Sequence, residues 1–178
     1  MHQWQKMPEK SILLLGPRQT GKSTLVDEIH DAAFAVASEL CKRGIYAQLT
    51  LGNRKRTDLL VESDEAMFRV QVKSKQGPTF PAAKGIVGRD IFLVFVDFQG
   101  NKPLERPSFF VLDPSDWTAL VTRELVDKGL VAQGKVRISP DGVPTYSDGY
   151  VGMNVKAEHL EPYRERWEKI ERRAAGRG

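Results

Sequence analysis

Two strand-like stretches joined by a short polar turn constrain this chain more than any other feature. Thr57-Asp58-Leu59-Leu60-Val61 and Met67-Phe68-Arg69-Val70-Gln71-Val72-Lys73 both read as strands, and Glu62 to Ala66 between them reads as a turn. Phe68, Val70 and Val72 alternate with Arg69, Gln71 and Lys73, so one face of the second strand is apolar and the other polar. A connection this short joins only antiparallel neighbours, because a parallel crossover needs about a dozen residues or more. The spacing therefore predicts a hairpin. Its pairing makes Asp58 and Gln71 near neighbours and sets Lys73 beside them.

That grouping of a carboxylate, an amide oxygen and an ammonium has a chemical use. A hard divalent cation such as Mg²⁺ takes oxygen ligands. Asp58 and the Gln71 side chain supply two, and the Val72 carbonyl a third. Such a metal polarises a phosphoryl oxygen and acidifies a bound water. Lys73 can orient that water and offset charge in the transition state. Arg54-Lys55-Arg56, just before Asp58, is a candidate for contacts to DNA phosphates.

The run Thr57-Asp58-Leu59-Leu60-Val61…Phe68-Arg69-Val70-Gln71-Val72-Lys73-Ser74 resembles the core of the PD-(D/E)XK nuclease superfamily. It is most similar to the branch with Holliday-junction resolvases and group I intron homing endonucleases, several of which carry Gln at the position of Gln71. The resemblance implies an α/β, restriction-endonuclease-like fold: a mixed, largely antiparallel sheet of about five strands flanked by helices. It implies Mg²⁺- or Mn²⁺-dependent cleavage of DNA, with Asp58, Gln71 and Lys73 as catalytic residues and Asp58, Gln71 and Val72 at the metal. It also implies an acidic residue on the first helix; Asp31 takes that place, with Glu28 and Glu39 near the same helical face as alternatives. A double-strand cut needs two sites, which fits a homodimer. Inactive relatives that only bind nucleic acid make a decayed binding module the rival reading. The usual helix between the third and fourth core strands is not expected, since residues 74–90 hold three Gly and two Pro and read as loop.

The N-terminus carries a second motif. Gly16-Pro17-Arg18-Gln19-Thr20-Gly21-Lys22-Ser23 matches G-x-x-x-x-G-K-[ST] after the apolar run Ile12 to Leu15. It is similar to the opening of a family of bacterial AAA-type ATPases, and Ile91 to Asp97 resembles a Walker B strand. On that alternative reading Gly16, Gly21, Lys22 and Ser23 bind ATP. A phosphate-loop fold needs parallel strands joined by helices, and residues 45–73 hold three strands with no helix between them. Residues 1–24 are accordingly read as an extension and 25–178 as a single nuclease-like domain.

Beyond the hairpin, the pattern predicts a helix from Lys22 to about Gly44 and a strand over 45–51. It predicts a central strand over Ile91–Phe98, its return strand over 108–112, and a helix from Asp113 to about Lys128. Residues 134–152 read as irregular, and a last helix covers about 157–173. Trp117 and Trp167 read as core. The cations from Arg164 to Arg177 read as a solvated face and frayed tail. With 40% hydrophobic and 28% charged residues the chain has the composition of a globular domain, and its net charge of +4 permits a polyanionic partner without demanding one. His2, His30 and His159 lack ligand spacing, and Cys41 is the only cysteine, so neither a histidine metal site nor an internal disulfide is expected. No apolar run approaches the roughly 20 residues of a membrane span, and the opening residues do not form a secretory signal. A reducing cytoplasm fits these features.

Overall fold

The computed structural model describes residues 24–50, 58–75, 77–100 and 105–177, with side chains from residue 31 onward. The phosphate-loop residues Gly16, Gly21, Lys22 and Ser23, the extension they belong to, and Arg54, Lys55 and Arg56 lie outside the described residues.

Helix α1 (Thr24–Lys42) leads into β1 (Ala47–Leu49), β2 (Leu59–Glu62) and β3 (Met67–Lys75). After β4 (Thr79–Ala83) come β5 (Ile91–Asp97), β6 (Ser108–Leu112) and α2 (Pro114–Val121). Among the described residues the main sheet has five strands in the order β1-β2-β3-β5-β6. Only β3 and β5 run parallel; every other pair in it is antiparallel. This is the mixed, largely antiparallel sheet flanked by helices that the sequence leads one to expect.

The β2–β3 hairpin forms for the reasons visible in its residues. Leu59 pairs with Val70 and Val61 with Phe68, all four buried on one face. Ser63 closes the turn: its amide donates to the Ala66 carbonyl at 2.9 Å, and its hydroxyl accepts from the Ala66 amide at 3.0 Å. On that face Val70, Val72, Phe92, Val94, Val96 and Phe109 meet Ala32, Val36 and Leu40 of α1. On the opposite face Leu93, Phe95, Phe110 and Leu112 meet Phe80, Trp117 and Leu120. β5 is apolar from Ile91 to Val96 because both of its faces are covered there.

Several elements differ from the sequence reading. β3, not β5, holds the centre of the sheet. The crossover from β3 to β5 has no helix, as expected, but it is not all loop: β4 lies within it and pairs with β9 (Met153–Lys156). Pro81 stands in β4 on an exposed edge, where a missing amide costs little. Residues 134–152 contain a small hairpin of β7 (Val136–Ile138) and β8 (Pro144–Tyr146). α2 passes into a π-helical turn over Thr122–Val126. The last helix is broken into α3 (Ala157–Leu160), a 3-10 turn at Glu161–Tyr163, and α4 (Glu168–Ala174). Leu160 and Tyr163 bury in one core and Trp167 and Ile170 in the other, so this segment passes round the edge of β6 from one sheet face to the other. Arg164 makes a single antiparallel bridge to Phe110 at that edge, and Glu165 turns the chain with φ +53°. The C-terminal cations are not a loose tail. Lys169 pairs with Asp113 and Asp116, Arg173 with Asp90, and Arg164 with Glu161. No helix among the described residues is long and apolar enough to cross a membrane.

Candidate metal centre on the central hairpin

Asp58 stands where β2 begins, and its backbone breaks the ladder. Its amide donates to the Val70 carbonyl at 3.1 Å, although Val70 is already paired with Leu59. Its own carbonyl accepts from the Thr50 amide at 3.0 Å. Two residues facing one is the pattern of a β-bulge, a device that re-aims a side chain. Here it turns the Asp58 carboxylate along β3, where Oδ2 accepts the Val72 amide at 2.7 Å. The carboxylate therefore lies against the peptide that links Gln71 to Val72. The amide and carbonyl of one strand residue leave on the same edge, so the Val72 carbonyl also faces the side on which Asp58 stands.

Gln71 sits on the polar face of β3, opposite Leu93 of β5. Its residue exposure is only 8%, and its Oε1 is buried with no hydrogen-bond partner. An unpaired buried acceptor costs about 1–3 kcal/mol, so native structures seldom keep one without a use. Lys73, two residues on, shares this face and stands opposite Phe95. It is half-buried, and among the described residues its ammonium forms no ion pair.

The next residue on that face is handled differently. Lys75 is buried, and its Nζ meets Asp97 Oδ2 at 2.9 Å, Gln99 Oε1 at 2.8 Å and the Gly77 carbonyl at 3.1 Å. All three of its donors are used. Asp97, the end of the Walker-B-like run, is thus engaged by Lys75.

Two of the three helix acids separate clearly. Glu39 is buried and bound by Lys42, Arg43 and Arg106, whose guanidinium hydrogen bonds hold its carboxyl well below the usual range. It is a structural anchor. Asp31 is exposed, on a helix whose buried residues cover the sheet face opposite to Gln71 and Lys73. It forms no ion pair among the described residues. The side chain of Glu28 lies outside the described residues. The structure thus brings Asp58, Gln71, Val72 and Lys73 together and leaves Asp31 apart from them. Among the described residues no group of three or more His, Cys, Asp or Glu side chains could hold a metal ion. Any metal here would rest on one carboxylate, one amide oxygen, one peptide carbonyl and water. Those are hard oxygen donors, and water-rich coordination is what Mg²⁺ prefers. The unsatisfied Gln71 Oε1 fits such an ion, because a metal would supply its missing partner.

No family model matches this chain, and no curated protein matches it. Among solved structures it is similar to a bacterial homing endonuclease, I-Ssp6803I. The identity is 21% over 86% of this chain and 96% of that one, with a TM-score of 0.43.

Proposed function

We propose that this chain is a divalent-metal-dependent DNA endonuclease. The observation that carries the reading is the pairing of the orphaned Gln71 Oε1 with an Asp58 carboxylate that a bulge has turned onto the adjacent peptide. Asp58, Gln71 and the Val72 carbonyl would hold Mg²⁺ or Mn²⁺, which supplies Lewis acidity toward the phosphate and acidifies a water. The rest falls to the protein. Asp58 is fixed by the Val72 amide, so its carboxylate needs little reorganisation. Lys73 keeps an ammonium beside the site to meet charge on the phosphoryl oxygens.

The test is incubation of the purified chain with supercoiled plasmid in Mg²⁺, Mn²⁺ or EDTA. The expected result is nicked or linear product in either metal and none in EDTA. DNA binding without cleavage in either metal would replace this reading with that of a decayed binding module.

A further inference from the structure

The polar face of β3 carries one more residue that the metal site does not use. Arg69 precedes Gln71 by two positions and lies opposite Ile91 of β5 and Leu60 of β2. It is exposed, and among the described residues its guanidinium forms no ion pair or hydrogen bond. That sets it apart from the prevailing pattern. Arg43, Arg106, Arg123, Arg164, Arg166 and Arg173 each close an ion pair with a carboxylate. Lys75, farther along the same face, is saturated as well.

Arg69, Gln71 and Lys73 therefore form a row in which two cations that form no ion pair among the described residues bracket the orphaned oxygen. Alternate residues on a strand stand about 7 Å apart, the same scale as successive phosphates of a nucleic-acid strand. A planar guanidinium binds a phosphate through two parallel N–H donors. We propose that Arg69 is a substrate-positioning residue that holds a DNA phosphate next to the scissile one, so that the cleaved strand runs along β3. This rests on the endonuclease reading and adds the direction of the substrate across the site.

The experiment compares wild type with Arg69→Gln, Arg69→Lys and Arg137→Gln. The last removes the same charge from β7, where Arg137 is exposed and forms no ion pair among the described residues. Each is measured for duplex DNA binding against salt concentration in Ca²⁺, and for plasmid cleavage in Mg²⁺. Arg69→Gln should weaken binding about tenfold at low salt and reduce the slope of log K against log salt by about 0.9. Its KM should rise by more than its kcat falls. Arg69→Lys should recover part of the affinity. Equal effects of Arg69→Gln and Arg137→Gln would reduce Arg69 to bulk charge and overturn the proposal, while wild-type cleavage would leave the endonuclease reading standing. If wild type binds but does not cleave, the salt slope still decides the role of Arg69. If wild type binds no duplex, both readings fall.

Discussion

Replacing Gln71 by Met separates stability from function at the site. Gln71 is 8% exposed and its Oε1 has no partner, so the native state carries an unpaid desolvation cost of about 1–3 kcal/mol. Met has nearly the same length and volume and brings no amide. The substitution should therefore stabilise the metal-free fold by about 1–2 kcal/mol. In a chain of this size each kcal/mol moves Tm by roughly 2–4 °C, so the expected rise in EDTA is roughly 2–8 °C. Mg²⁺ should act in the opposite sense. A ligand at about ten times its Kd stabilises the native state by about 1.4 kcal/mol, so wild type should gain Tm on addition of Mg²⁺. Gln71→Met should gain much less and should not cleave DNA. Gln71→Glu gives the mirror image: a buried carboxylate destabilises the protein in EDTA and enlarges the Mg²⁺-dependent gain. Differential scanning fluorimetry with and without Mg²⁺ reads all three. A lower Tm for Gln71→Met in EDTA, or equal Mg²⁺ gains in Gln71→Met and wild type, would refute the assignment of Gln71 as a ligand held in strain.

Three further outcomes follow from the same geometry. Asp58→Asn keeps an oxygen for the Val72 amide and should fold normally while cleavage falls at least about a hundredfold; Asp58→Ala also strands that amide, at about 1–3 kcal/mol by urea titration. Gly85→Ala should cost about 2–4 kcal/mol in chemical denaturation, because φ is +73° there and a Cβ would lie 2.0 Å from the Trp117 ring. Burial pushes the Asp113 carboxyl up, but hydrogen bonds from Lys169, Ser115 and the Asp116 amide outweigh it and hold the pKa at about 2. That depressed value contributes about 2 kcal/mol above pH 4, which is lost as pH falls through about 2; Lys169→Met should flatten the acid limb of stability against pH.

The hairpin was legible because its information is local: a strict alternation, a short polar turn and a QxK spacing all lie within 58–73. What the sequence concealed depends on distant partners. Asp97 meets Lys75 only through the parallel β3–β5 register, which no neighbouring residue encodes. β4 escaped notice because its partner β9 lies some seventy residues later and because Pro81 argues against a strand. The spacing of Leu160, Tyr163, Trp167 and Ile170 imitates one helix face, yet the chain divides them between two cores. Pro162 was the available warning, since its ring is tolerated at the start of a helix and not within one. The bulge at Asp58 had no signal at all, because it arises from the meeting of β1, β2 and β3.

The placement of charge along β3 explains why Lys75 is paired while Lys73 forms no ion pair among the described residues. Both lysines lie on the same face, one register step apart. Lys75 faces Asp97 and is closed by three acceptors, while Lys73 faces Phe95, which offers none. If the strand slipped by two residues, Lys73 would take Asp97 as its partner and its ammonium would be quenched. The buried Lys75–Asp97 pair opposes that slip, because leaving either charge buried and unpaired costs several kcal/mol. The pair therefore does more than join two strands. It fixes the register in which Lys73, on the same strand face as Gln71, forms no ion pair among the described residues.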